Sequence, residues 1–247
     1  MRSMLKLTWM EIKLFLREPI GAFFTLVFPL MFLFLFGSIY GNDPLPQLNG
    51  KGTVDISVPA YTAMIIATTG LMGLAITLAA YREQGVLRRL RTTPIHPLNV
   101  LGAQVFVLYM MTTLGMLLLV IAGKVVYHLR FEGNVFSVLI GFTLSSLSFF
   151  SLGLVLAGLM PTARTAQVVG LAILYPMLFL SGAGFPRELL PESIINISKF
   201  LPLTYVVTLL RGLWIGESWS SHIVDVIVLA AILVVGVLVS VKLFRWE

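Results

Sequence analysis

Arg82, Glu83, Arg88, Arg89 and Arg91 fall within ten residues of a chain in which only 11% of residues are charged. Read as a helix, Val86, Leu87 and Leu90 make a short apolar ridge among these charges. Glu83 stands at the N-terminal end of that helix, where its charge suits the dipole. Pro94 and Pro97 stop this helix and start the next. The chemistry open to such a set is binding: the ridge offers area to bury and the charges set orientation. One reading is a topogenic loop that keeps itself on the cytoplasmic side. The other is a docking element for a cytosolic partner. A plain loop needs charge but has no use for the ridge or for Glu83, so docking is favoured.

The residue sets of catalysis and ion coupling are missing from the pattern. Intramembrane ionisable groups usually mark ion coupling. On the sequence none lies well inside a span: Asp225 is at an edge, and His96, His128 and His222 fall in loops. Carboxylate-based proton or sodium coupling is not expected, nor is haem held by paired histidines. No Gly-rich phosphate loop ends in Lys-Ser/Thr, so ATP is not expected to bind this chain in that manner. Ser145, Ser146, Ser148 and Ser151 read as helix-packing residues, not as parts of a hydrolase. Without cysteine there is no disulfide, thiolate metal site or catalytic thiol. Energy for uphill movement would have to come from another chain, which returns attention to the basic segment.

The elements that must carry that segment are membrane spans. Of 247 residues, 58% are hydrophobic, and the mean hydropathy is +0.96. This is the composition of an all-α polytopic membrane protein. The net charge of +6 is spread over loops and reads as an orientation signal, not a nucleic-acid footprint. Residues 1–18 form an interfacial amphipathic helix: Leu5, Trp9, Ile12 and Leu16 make its stripe, with Arg2, Lys6, Lys13 and Arg17 beside them and Glu11 and Glu18 on a separate arc. Charge interrupts its apolar positions and a full span follows, so it is not read as a cleaved signal peptide.

A span needs ~20 apolar residues. Six are expected: Pro19–Asn42 with a kink at Pro29, Ile56–Tyr81, Pro97–Gly123, Gly133–Ala163, Thr165–Pro186 with Pro176 inside, and Val226–Val241. Phe200–Gly216 is also apolar but carries Arg211 at its centre. Val206, Leu209, Leu210, Leu213 and Trp214 share one face, so it is expected to dip into the outer leaflet without crossing. Six spans from a cytoplasmic N-terminus place eleven Lys/Arg inside and six outside, in agreement with the positive-inside rule. The outer segments are then Gly41–Asp55, Lys124–Glu132 and Ser181–His222. No internal repeat or linker appears, so residues 1–247 are read as a single membrane domain.

Four stretches in order carry a family likeness: LREP at 16–19, EQGVLRRLRTTP at 83–94, LSGAGFPRELLP at 180–191 and LPLTYVVTLLRG at 201–212. With the six spans, the chain resembles the permease of a type-2 ABC exporter of the drug or antibiotic kind. The resemblance implies a connecting helix at 1–18, a coupling helix at 82–94 and an external helical segment at 181–222. It implies a homodimer or paralogous heterodimer above two copies of an ATP-binding subunit. ATP and Mg would sit on that subunit, with no cofactor in this chain. The contact to the ATPase would be made by Glu83, Val86, Leu87, Arg88, Arg89, Leu90 and Arg91, with Glu11, Arg17 and Glu18 of the connecting helix. Spans 2 and 5 usually line the path, which makes Thr62, Met64, Thr69, Met72, Tyr175, Met177 and Phe179 candidates, against the plain alternative of helix packing. Met and aromatic side chains form an adaptable apolar surface. The implied function is export of hydrophobic or amphipathic small molecules across the plasma membrane, with both termini cytoplasmic. Membrane lipid is a further partner and nucleic acid is not. A lipid-linked polysaccharide as cargo, or a scaffold without transport, remain the alternatives.

Overall fold

In lipid every backbone polar group must find its partner inside the segment, so charge-free apolar runs become helices. The computed structural model describes residues 13, 19–48, 50–86, 97–184 and 191–243. Six described helices are long and apolar enough to cross a membrane. They are Phe23–Tyr40 (span 1), Thr53–Glu83 (span 2), Leu101–Tyr127 (span 3), Val135–Leu159 (span 4), Ala163–Leu180 (span 5) and Trp219–Leu243 (span 6). No β-strand occurs among the described residues. The interfacial helix expected at 1–18 lies almost wholly outside them.

Capping residues move several ends away from the expected positions. The Asn134 side chain accepts hydrogen bonds from the Phe136 and Ser137 N–H groups, so span 4 begins at Val135 instead of Gly133. Thr162 caps span 5 reciprocally with Thr165, which starts that helix at Ala163 and ends span 4 at Leu159. Span 5 stops at Leu180, short of the expected Pro186. Span 3 runs past Gly123 to Tyr127, with Lys124 in its last turn, where a cation suits the helix dipole.

Spans 1 and 2 each contain a π-helical turn, Phe23–Val27 and Thr69–Leu74. Pro29 has no N–H to offer the Thr25 carbonyl four residues back, and the kink expected there takes the form of the first π turn.

Span 2 is the central helix. Every residue from Thr53 to Met72 is buried, and Leu33, Phe142, Phe149, Leu174 and Leu209 pack in the core cluster around it. Span 4 crosses it where two glycines meet: a Cβ on Gly153 would stand 2.0 Å from the Gly70 carbonyl oxygen. Span 4 also binds span 6 through serines, as expected for packing residues. Ser148 Oγ donates to the Leu229 carbonyl at 2.8 Å and Ser151 Oγ to that of Ile232 at 3.2 Å. Ser145 and Ser146 are fully buried, and their hydroxyls have no partner among the described residues.

Between spans 5 and 6 lie two shorter helices, Glu192–Ser198 and Pro202–Trp214, bent 102° from each other. Thr204 Oγ1 donates to the Ser198 carbonyl and Tyr205 Oη to that of Lys199, both at 2.6 Å, and these bonds tie the bend. The longer helix buries Val206, Leu209, Leu210, Leu213 and Trp214, the face expected from their spacing.

Candidate functional site

Three polar regions remain once the apolar core is accounted for. The first is at the end of span 2. The sequence places Glu83 at the start of a separate helix; instead it closes the last turn of span 2, which runs two residues beyond the expected Tyr81. A carboxylate at a helix C-terminus opposes the dipole. It is offset here because Glu83 Oε2 accepts a hydrogen bond at 3.0 Å from the Ala163 N–H, at the N-terminus of span 5. The neighbouring Arg82 guanidinium donates to the Met160 carbonyl in the same turn between spans 4 and 5. Gly85, at φ +66°, then turns the chain, and Val86 is half-buried. Leu87, Arg88, Arg89, Leu90 and Arg91 lie outside the described residues, as do Glu11, Arg17 and Glu18.

The second region is a crevice of about 130 Å³ between spans 1, 2, 3 and 5. Phe24 and Thr25 come from the first π turn, and Thr69, Met72 and Gly73 from the second. Thr68, Ile76, Thr77, Leu108 and Gln167 complete the main walls. None of its described lining residues is ionisable. Three of the threonines donate to the carbonyl four residues back: Thr68 to Met64 at 2.9 Å, Thr69 to Ile65 at 2.7 Å and Thr77 to Gly73 at 2.8 Å.

Of the path candidates, Thr69 and Met72 line this crevice. Thr62 and Met64 are buried inside the single chain, with Thr62 Oγ1 donating to the Val58 carbonyl at 2.9 Å. Met177 is buried too, whereas Tyr175 and Phe179 are exposed on span 5. One chain therefore does not gather all seven around a common space. Phe24, Thr25 and Gln167 were not anticipated. Only Pro29, four residues after Thr25, hinted that span 1 is irregular there.

The third region is at the opposite end of span 2. The sequence reads Asp55 as the end of a polar loop; it lies in the first turn of span 2 and is 2% exposed. Its carboxylate accepts from Asn42 Nδ2 at 2.9 Å, the Gly52 N–H at 3.1 Å and the Arg130 N–H at 2.8 Å, with Arg130 Nε at 3.4 Å. Asn42 Oδ1 in turn accepts from the Val54 and Asp55 N–H groups at 3.1 Å, capping span 2 from the far side of a loop. Beside this knot lies a cavity of about 290 Å³, lined in part by Lys51, Asp55, Thr208, Arg211, Glu217 and His222. His222 is not in an open loop. It is buried in the 3₁₀ turn that opens span 6, with Nδ1 at 2.8 Å from Asp225 Oδ2 and Nε2 at 2.7 Å from Glu217 Oε2. Among the described residues no three His, Asp or Glu side chains are grouped to hold a metal ion.

Six spans, a bent helix pair before the last of them and a charged span-2 end joined to the span 4–5 turn make a polytopic membrane domain. The family model for the ABC-2 type transporter matches residues 2–214. This chain belongs to the ABC-2 type transporter family. It is similar to Nodulation protein J of Rhizobium leguminosarum bv. viciae, with 36% identity over 102 residues, 41% of this chain and 39% of that protein. It is similar to the inner membrane transport permease YhhJ of Escherichia coli K12, with 24% identity over 186 residues, 70% of this chain and 48% of that one. A third relative, named "Probable multidrug ABC transporter permease YbhR" in the same organism, is 22% identical over 181 residues, 71% of this chain and 48% of its own length. The chain matches less than half the length of these relatives. As an ABC-2 chain it is a multi-pass membrane protein of that family.

Proposed function

We propose that this ABC-2 subunit exports hydrophobic or amphipathic small molecules outward across the plasma membrane. A separate subunit carrying ATP and Mg powers it, and a second permease copy, identical or paralogous, completes the path. The crevice beside span 2 carries this reading. Its walls include Phe24, Met72, Ile76 and Leu108, and no ionisable side chain lines it among the described residues. Such a surface accepts apolar cargo and offers nothing to neutralise a charge. With a second copy present, the exposed Tyr175 and Phe179 are available to extend that surface along span 5.

The basic segment that follows Glu83 supplies the link to ATP. Leu87 docks in a groove of the ATPase, where a buried leucine contributes ~1.5–3 kcal/mol. Leu87→Asp places an unpaired charge in that groove. The permease with its ATPase, reconstituted in liposomes, should show ATP turnover stimulated by a hydrophobic dye and ATP-dependent clearance of that dye. The variant should lose both, and lose co-purification with the ATPase, while still eluting as an intact permease. Wild-type stimulation and co-purification in Leu87→Asp would show that the segment is only a topogenic loop. A wild-type complex that never clears the dye would overturn the cargo assignment.

The eleven-to-six asymmetry of Lys/Arg supports cytoplasmic termini. In this cysteine-free chain, an impermeant thiol reagent applied to intact cells should label a cysteine replacing Ser193 and spare one replacing Ser3. The reverse labelling would invert the topology.

A further inference from the structure

We infer that the crevice between the two π turns is a cargo site contained within each single permease chain. Its ligand is a neutral, slender amphiphile bearing a hydrogen-bond donor such as a hydroxyl or amide. The inference rests on the exporter reading and goes further, because it gives the site a place, a size and a chemical class.

Three observations converge on this space. π turns are rare, appear mostly as single-turn interruptions of α-helices, and recur at functional sites. Here two of them, on different spans, face the same crevice: Phe23–Val27 contributes Phe24 and Thr25, and Thr69–Leu74 contributes Thr69, Met72 and Gly73. Each turn interrupts the regular ladder of its span, and the crevice lies between the two interruptions.

The polar groups are matched to one kind of ligand. Thr68, Thr69 and Thr77 have given their hydroxyl protons to the carbonyls of Met64, Ile65 and Gly73. What these hydroxyls still offer is acceptor lone pairs. Gln167 adds a carboxamide, which can both donate and accept. A ligand donor therefore finds acceptors, while a charged group finds no counter-charge among the described lining residues and loses its hydration without return there.

The size sets a further limit. At about 130 Å³ the crevice is well below the roughly 300–1,000 Å³ of sites that enclose drug-sized ligands. It takes a narrow apolar body, or one arm of a larger molecule, and not an oligosaccharide chain. Met72, unbranched and adaptable, is the wall best able to re-pack around different bodies.

Gly73 gives a clean way to close the site. A Cβ added there would meet Leu108 Cδ2 at 3.7 Å and Thr69 Cγ2 at 3.8 Å, ordinary van der Waals contacts with two side chains that themselves line the crevice, so a substitution at Gly73 takes up space in it. The test uses the permease alone in lipid nanodiscs, independent of ATP turnover and of any export assay. Thr77→Cys places a single thiol in the lining of an otherwise cysteine-free chain. Labelling by a membrane-permeant maleimide is followed with N-phenyl-1-naphthylamine, a neutral, slender probe with one N–H donor, or with the tetraphenylphosphonium cation. The neutral probe should slow labelling at least about threefold once its free concentration is twice its Kd, and the cation should not. Adding Gly73→Leu should abolish the protection. Protection that survives Gly73→Leu, or equal protection of a cysteine replacing Gly102, would place the probe elsewhere. Equal protection by the cation would overturn the neutral class. No protection at all would overturn the site while leaving the exporter reading to the dye-clearance assay.

Discussion

Replacing Gly153 with valine is expected to prevent the bundle from assembling, the largest loss of stability from any single substitution proposed for this chain. The Cβ that valine requires would lie 2.0 Å from the Gly70 carbonyl oxygen, 3.0 Å from its carbon and 3.3 Å from Leu74 Cβ. The first two are backbone atoms, which no rotamer change can move aside. The reciprocal contact is as tight: a Cβ on Gly70 would stand 2.7 Å from the Phe149 carbonyl oxygen. Close approach of small residues is what holds helices together in lipid, where the hydrophobic effect no longer drives them together. Overpacking a filled interior typically costs about 1–3 kcal/mol, and a clash against backbone belongs at or above the top of that range. Size-exclusion profiles of detergent-extracted protein should show Gly153→Val aggregated and Gly153→Ala with a lowered thermal midpoint. Gly102→Ala is the control, because nothing lies within 4 Å of the added carbon; it should leave the profile unchanged or slightly improve it. If Gly153→Ala melts with Gly102→Ala, the spans do not cross at these glycines.

Asp55→Asn is expected to destabilise nearly as much as Asp55→Ala, even though the amide is the same size as the carboxylate. Every described group around this carboxylate is a donor: Asn42 Nδ2, the Gly52 and Arg130 N–H groups and the Arg130 guanidinium. An ionised carboxylate accepts on both oxygens, whereas an Asn must turn its own NH₂ toward donors on one side. Breaking a fully buried ion pair costs about 3–5 kcal/mol. The Arg130 side chain is 44% exposed, so the charge left behind is partly hydrated, and a loss of about 2–4 kcal/mol is the better expectation. The consequence reaches three segments, because the knot joins the loop after span 1, the first turn of span 2 and the loop after span 3. Thermal unfolding of the purified permease should show both variants lowered together. An Asp55→Asn protein with the wild-type midpoint would mean that charge and acceptor count at this position do not matter.

The contrast between these two sites shows what sequence reading can reach. Spans were legible because a charge-free apolar run of this length has one solution in lipid. Their ends were less so, since Asn134 and Thr162 act as caps through hydrogen bonds that composition does not show. The helix carrying Arg211 was readable because Val206, Leu209, Leu210, Leu213 and Trp214 repeat at helical spacing and are all buried. Asp55 was not, because its partners Asn42 and Arg130 are 13 and 75 residues away. Flanking polar and glycine residues make it look like loop. The π turns leave no compositional mark, and only Pro29 near the first one hinted at irregularity. Glu83 was misread for a related reason: its partner Ala163 is 80 positions distant, so locally it looks like the opening of a basic helix. Thr69 and Met72 are candidates through family likeness, whereas nothing in the local sequence distinguishes Gln167 from the rest of span 5.

The bond from Glu83 to the first amide of span 5 also constrains energetics, because coupling free energies are symmetric. The end of span 2 that leads into the basic segment is fastened to the helix that carries Gln167. If a partner docks on that segment as proposed, a shift it imposes there bears on one wall of the crevice, and a ligand that biases that wall pushes back on the partner by the same factor. In the proposed complex, the strength with which nucleotide changes cargo affinity would then be the same number as the strength with which cargo changes nucleotide affinity. The Glu83 carboxylate is one point of that connection, beside the Arg82 bond to the Met160 carbonyl.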